Sequence, residues 1–422
     1  MLDRSQAPAF QIPDSIQLLH PEVRLLPNGI PVHFIPTPEI QIIRMEICVS
    51  ASLDNLLVEK RFIPFFTLEM LVEGTKTKSS EEIADFFDTY AAEVDTSIGF
   101  EFLQINLTST KKHFLKVLPV FRELLTDAVF PEQELAKKKR QKSLQLSVNR
   151  GKTSYWASQL FKREMFGADH PFGQISVAED VDSVQREDLI RYYENHLWNK
   201  PQIFLTGNVG NEEIEAIGEL LGDLTVRSIS PVESKFVNKP NHRVYEEKKD
   251  SVQSTIRIGC HVVPNSHPDH LPFWVMNTLL GGYFGSRLSK NIREDKGHTY
   301  GIYSAVGSLS SSDYWMVAAD VIKAHSEEVF IEIYREVERI KHEPIPTDEL
   351  ETLRNYMAGK LLSQFNSSFE MISRFKSVHL SGLDFGYYQR QLEYILSFKE
   401  NDIRNVAKKY LDPSKFVEIL VG

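Results

Sequence analysis

The stretch FPEQEL at 130–135 returns as IPTDEL at 345–350, 345 − 130 = 215 positions later, with Glu134 and Leu135 matching Glu349 and Leu350. Before each anchor lies a helix-periodic segment, carrying Phe114, Val117, Phe121, Leu124 and Ala128 in one copy and Phe330, Ile333, Tyr334, Val337 and Ile340 in the other. Before each of those comes a strand-like run, FLQINLT at 102–108 and YWMVAADV at 314–321. Cys48 and Cys260 also fall in comparable first strands, 260 − 48 = 212 apart. One order at nearly one offset means two copies of an α/β unit.

A chain of 422 residues exceeds the size at which one core keeps growing. The polar, aperiodic segment VRSISPVESKFVNKPNH at 226–242 carries two prolines and reads as the linker, which gives domains at 1–225 and 243–422. Hairpin-like strands mixed with long helices predict an α+β class twice over. Each domain is expected to hold a mainly antiparallel or mixed sheet with helices packed on one face.

Local signals fill in the first copy. NGIPVHFIPT starts with an Asn-Gly turn and enters a hairpin strand, and IIRMEICVSAS is a second strand. SSEEIADFFDTYAAEV predicts a helix capped by Ser80, with Ile83, Phe86, Phe87, Tyr90, Ala91 and Val94 on one face. Pro119 implies a kink in the helix before the first anchor, and PEQELAKKKRQKSLQLSV at 131–148 reads as a long basic helix.

The formal charge is 48 − 58 = −10, which disfavours nucleic acid or an anionic membrane surface as the main partner. No run of about 18 apolar residues suggests a membrane span. The opening MLDRSQAPAFQIPDS lacks a basic stretch followed by an apolar one, so a cytoplasmic chain is expected. Two cysteines, Cys48 and Cys260, are too few for a disulfide framework and are expected as buried free thiols.

Chemistry-bearing motifs are sparse. RFIPFFTLEMLVEGT at 61–75 puts Phe62, Phe65, Phe66, Glu69 and Met70 on one helical face, a lone carboxylate in an apolar stripe. A nucleophilic G-x-S-x-G elbow and a Walker-type phosphate loop are both missing. GGYFGSRLSKN at 281–291 follows an apolar helix rather than a strand and reads as a turn needing positive φ. HVVPNSHPDH brings His261, His267 and His270 within ten positions, where a solvated loop is favoured over a metal site, and His298 stands alone. In NIREDKGHTYGIYS, Arg293 and Tyr300 are two donors that could hold a peptide carbonyl or an oxyanion, although spacing alone leaves both as structural residues.

The order of these motifs resembles the insulinase-like (pitrilysin) metallopeptidases, the family that includes mitochondrial processing peptidase and the respiratory core proteins. PFFTLEMLVEGT at 64–75 lies without a gap on the family's H-x-x-E-H segment. HPFG at 170–173, LTGNVG at 205–210 and SRLSKNIREDKGHTYGIYS at 286–304 are similar to further family motifs, the last placing Arg293 and Tyr300 on the family's arginine and tyrosine.

The resemblance implies a clamshell of two homologous domains. It places Phe65 and Glu69 where the zinc-binding histidines stand, Leu68 at the general base and Gln145 at the distant glutamate, so none of the four residue types survives. It therefore implies no zinc in this chain. Glu69 becomes a structural carboxylate, paired with Lys or Arg of the long basic helix. The function implied is the zinc-less subunit of a heterodimeric peptidase. An H-x-x-E-H partner would supply zinc, water and base, and Arg293 and Tyr300 would bind the peptide substrate. The alternative is an inactive binding or assembly protein like the respiratory core subunits. The broad concave face of two such domains invites a homodimer of the chain in isolation, which the sequence does not decide.

Overall fold

The structure is a computed structural model that describes residues 13–51, 53, 56–230, 242–309 and 312–422. In the first half the chain forms strands β1 (Glu22–Leu25), β2 (Pro31–Pro36) and β3 (Ile42–Ser50), then helices α1 (Ile63–Glu69) and α2 (Ser80–Thr89). Strands β4 (Glu93–Ile98) and β5 (Phe102–Thr110) precede helices α3 (Lys111–Thr126), α4 (Glu132–Gly151), α5 (Thr153–Phe166), α6 (Ala178–Asp182) and α7 (Arg186–Asn195). Strand β6 (Gln202–Gly207) and helix α8 (Asn211–Leu221) close this half.

The second half runs β7 (His242–Glu246), β8 (Gln253–Val262), α9 (His270–Asn277), β9 (Thr299–Gly307), β10 (Asp313–Ile322), α10 (Ser326–His342) and α11 (Thr347–Leu362). It ends with α12 (Ser368–Leu380), α13 (Tyr387–Ser397), α14 (Glu400–Tyr410) and β11 (Val417–Val421).

The strand orders are β1-β2-β6-β3-β5-β4 and β7-β11-β8-β10-β9. With β1 set aside, the second order repeats the first strand for strand. Each sheet has one parallel pair at the same place, β2 with β6 and β7 with β11. The anchors open equivalent helices, with Pro131 capping α4 and Pro346 capping α11.

Alternation decides what each sheet face meets. On the first sheet Ile43, Met45, Ile47 and Val49 of β3 and Leu103, Ile105 and Leu107 of β5 face a core shared with α1, α3 and α7. Phe114 and Phe121 of α3 are fully buried there, each contributing about 1.5–3 kcal/mol of apolar burial. The opposite face carries His33, Ile35, Glu46, Cys48 and Phe204, and α12 of the second half lies on it through Ile372, Phe375 and Leu380. Polar contacts fix that helix: Lys376 pairs with Glu46 and donates to Gln104 Oε1 at 3.1 Å, and His379 meets Gln202 at 2.8 Å.

The reciprocal exchange occurs on the second sheet. Helix α5 of the first half packs Leu160, Phe161 and Met165 against Val417, Ile419 and Val421 of β11. Gly259 of β8 makes room, since a Cβ there would lie 2.6 Å from the Phe161 ring. Each half's own helices thus cover one face of its sheet, and a helix lent by the other half covers the second.

Several expectations need correction. Ser79, not Ser80, caps α2, because it alone sits three residues before Glu82 and closes a capping box with it. That helix ends at Thr89, Ala91 adopts a positive φ of 47°, and Val94 belongs to β4, so the predicted apolar face is cut short. Helix α3 continues through Pro119. The cysteines do lie on corresponding strands, as expected, and the structure adds that they face opposite ways, Cys48 under α12 and Cys260 in its own half's core. In a strand the side chains alternate, so neighbouring positions face opposite ways.

Both thiols are free and buried, which pushes each up to about 12. None of the glycines at 281, 282 and 285 has a positive φ. A Cβ at Gly281 would lie 2.6 Å from the backbone nitrogen of Ser304, so close approach explains that glycine. The chain's first 12 residues and positions 231–241 of the expected linker lie outside the described residues. Among the described residues no helix is long and apolar enough to cross a membrane.

Candidate functional site

Helix α1 is only seven residues long and meets α4 through side chains, Glu69 with Lys138 and Phe65 with Lys142. Its Phe66, Leu68 and Met70 point into the core, and Phe65 and Glu69 are half-buried on the side that meets α4. Along α4, Lys138, Lys142 and Gln145 fall at i, i+4 and i+7 and share one face. Lys138 Nζ reaches Glu69 at 3.6 Å and Glu73 at 2.9 Å. Burial works to lower the Lys138 pKa, but the two carboxylates hold it above its usual value. Glu69 is thus paired with the basic helix, as its place in an apolar stripe demands.

Lys142 Nζ stands 3.9 Å from the centroid of the Phe65 ring and 5.5 Å from that of Phe62. It also donates to Gln145 Oε1 at 3.2 Å. Burial depresses its pKa, opposed by Glu69. Zinc does not fit here. Phenyl and isobutyl side chains offer no lone pair, one carboxylate is already held by an ammonium, and a second ammonium stacks on the ring where a ligand would stand.

Beside this spot a cavity of about 450 Å³ opens between α1, α4, α5 and the loop after α5. Phe62, Phe65, Phe100 and Phe172 supply aromatic wall, and Lys142 and Lys162 bring their ammonium groups to it. Lys162 Nζ lies 4.5 Å from the Phe172 ring centroid, and burial alone depresses its pKa. The HPFG turn builds this wall: His170 is buried, and its Nδ1 accepts from the backbone N–H of Phe172 at 3.1 Å. Sequence reasoning did not find this cavity. Its one signal was the i, i+4 spacing of Lys138 and Lys142, hidden in a run of lysines that reads as a solvated face.

Arg293 and Tyr300 sit in the second half. Arg293 belongs to a π-helical turn, Ser289–Asp295, and its guanidinium carbon lies 4.2 Å from the Phe284 ring centroid. Tyr300 is the second residue of β9 and is 91% exposed. Among the described residues no hydrogen bond joins the two, and neither is spent on an ion pair. Both remain donors available to something outside the chain.

His298 does not stand alone. Its ring stacks on that of His325 at 4.1 Å, and both meet Glu328, with Nε2 of His298 at 3.1 Å and Nδ1 of His325 at 3.3 Å. Lys296 holds the same carboxylate at 3.0 Å and is the first cause that keeps it down at about 2, ahead of His298 and His325. An ammonium already on Glu328 makes this an ion-pair cluster.

The loop histidines diverge. His261 meets Ser312 Oγ and the Met165 carbonyl, each at 2.8 Å, while His267 Nδ1 accepts from the Asp269 backbone and His270 opens α9. Missed altogether was Arg287, which grips Glu349 of the second anchor through two bonds of 2.9 and 2.8 Å.

Residues 183–357 match the family described as Peptidase M16 inactive domain. The chain is 22% identical over 352 residues to a Bacillus subtilis protein named uncharacterized zinc protease YmxG, covering 82% of this chain and 85% of that one. It is 25% identical over 246 residues to a Helicobacter pylori protein named non-peptidase homolog YmxG, covering 56% and 55%. The fold is similar to the crystal structure of a peptidase M16 inactive domain from Pseudomonas fluorescens, with a TM-score of 0.85 at 19% identity, covering 96% of this chain and 98% of that one.

Proposed function

We propose that this chain, which belongs to the M16 (insulinase-like) peptidase family, is the zinc-less subunit of a two-chain peptidase. In this reading an H-x-x-E-H partner performs the hydrolysis, and Arg293 and Tyr300 hold the carbonyl of a peptide substrate against it. The observation that carries the reading is a contrast within one chain. The α1 site has lost every metal ligand and is filled, whereas the two donors of the second half keep free ends. Donors that bind developing negative charge are useful only where a substrate reaches them. The cytoplasm is the proposed compartment.

The test is hydrolysis of a quenched fluorescent peptide library by this chain, by an H-x-x-E-H partner and by their mixture, with Arg293→Ala and Tyr300→Phe as variants. The expected result is cleavage by the mixture alone, reduced about 10²-fold in kcat by either substitution, the usual loss for one oxyanion donor. A mixture no faster than the partner alone sinks the reading. A binding or assembly role would then take its place, as the non-peptidase name of the Helicobacter pylori relative favours.

A further inference from the structure

We propose that the cavity between α1, α4 and α5 is a binding site for a carboxylate carried on an apolar body, in the form of a peptide's hydrophobic C-terminal residue. Its volume of about 450 Å³ lies in the range of small-ligand sites and admits one large side chain with its carboxylate. The walls divide by chemistry: phenyl rings of Phe62, Phe65, Phe100 and Phe172 with Leu53 and Leu56, against the ammonium groups of Lys142 and Lys162.

Charge decides the occupant. Two carboxylates adjacent to lining residues are already engaged, Asp180 by the lining Arg61 at 3.3 Å and Glu69 by Lys138 at 3.6 Å. Among the described residues Lys142 donates to an amide oxygen and lies over ring faces, with Glu69 as a more distant electrostatic partner, and Lys162 lies over the ring of Phe172. Ring faces compensate an ammonium only partly, and a buried cation without an anion is costly. Burial lowers the pKa of both lysines, opposed at Lys142 only in part by Glu69 and at Lys162 by no carboxylate. A carboxylate between them would relieve both. Four aromatic rings disfavour a strongly hydrated anion such as phosphate and favour a carboxylate whose other end is apolar.

The site lies in the first half and uses neither Arg293 nor Tyr300, so it stands apart from the proposed peptidase role. The test uses the full chain alone and follows fluorescence anisotropy of an N-terminally labelled heptapeptide ending in Phe, as the free acid and as the C-terminal amide. The free acid should bind, and the amide at least about tenfold more weakly. Lys142→Met and Lys162→Met should each weaken the free acid about tenfold, whereas Lys137→Met on the exposed side of α4 should not. Circular dichroism establishes that each variant is folded.

Competition by 3-phenylpropionate separates the sources. Displacement only at concentrations far above the peptide's Kd places a peptide end in the site, and equal potency places a small organic acid there. Equal binding of acid and amide, or no binding by the folded chain, overturns the proposal.

Discussion

The ammonium of Lys142 stands 3.9 Å from the centroid of the Phe65 ring. A cation that is covalently part of the chain therefore stands beside the position that the resemblance places at a zinc ligand. Charge repulsion follows for any added metal. The triple variant Phe65→His, Leu68→Glu, Glu69→His should hold far less than one zinc per chain after dialysis, measured by atomic absorption. Adding Lys142→Met and Gln145→Glu should raise the occupancy at least about tenfold, since an ammonium at this range opposes a dication by several kcal/mol. One zinc per chain in the triple variant would show that Lys142 does not guard the site.

His33 makes the docking of α12 sensitive to acid. It is buried among Phe204, Phe375 and His379, with Gln202, Glu46 and Lys376 also on that interface, and its pKa is lowered from 6.5 to about 4 by burial and then by His379. A depressed histidine binds its proton more readily in the unfolded chain. Its stabilisation is therefore complete above about pH 6.5 and is lost as the pH falls from there towards 4. Urea midpoints measured between pH 7.5 and 4 should fall more steeply for the native chain than for His33→Gln. Parallel profiles would remove His33 as the cause.

Arg287 and Glu349 join the first residues of the helical segment that runs on to Asp295 to the start of α11. The guanidinium is almost wholly buried and the pairing is bidentate. Removing it in Arg287→Ala strands a carboxylate with little solvent, and unfolding in urea should show a loss of about 3 kcal/mol. Arg287→Lys should recover less than half of that, because an ammonium cannot match both oxygens at once. A loss below about 1 kcal/mol in the alanine variant would mean that water replaces the pair.

Gly259 sets how closely α5 approaches the second sheet. A Cβ there would lie 2.3 Å from the Trp315 carbonyl oxygen and 2.6 Å from the Phe161 ring, and the backbone oxygen cannot yield cheaply. Gly259→Ala should cost roughly 1–3 kcal/mol in thermal or urea unfolding. The double variant with Phe161→Leu should recover only the share due to the ring, so recovery of the whole loss would make the carbonyl contact irrelevant.

Much of the architecture was legible in the chain. The anchors FPEQEL and IPTDEL do open equivalent helices, and the alternating runs do form the strands. Pattern at short range is a direct consequence of helix and strand periods. The misreading at Ser80 was a slip of one position, and one position is enough to move a cap. That Phe65 and Leu68 offer a metal nothing was legible for a stronger reason: their side chains lack donor atoms in any fold.

Where Lys142 and Lys162 go was not legible, because a lysine in a charged run has the same sequence whether it meets water or a phenyl ring. The exchange of α5 and α12 between the halves was hidden for the same reason. An amphipathic helix specifies an apolar stripe but carries no address for the sheet that will cover it. The sequence by itself determined the repeat, the strands and the missing ligands, since these depend on neighbours within a few residues. Tertiary packing alone decided that α5 covers β11, that α12 covers β6, and that two ammonium groups meet at an aromatic cavity, since those contacts join segments far apart in the chain.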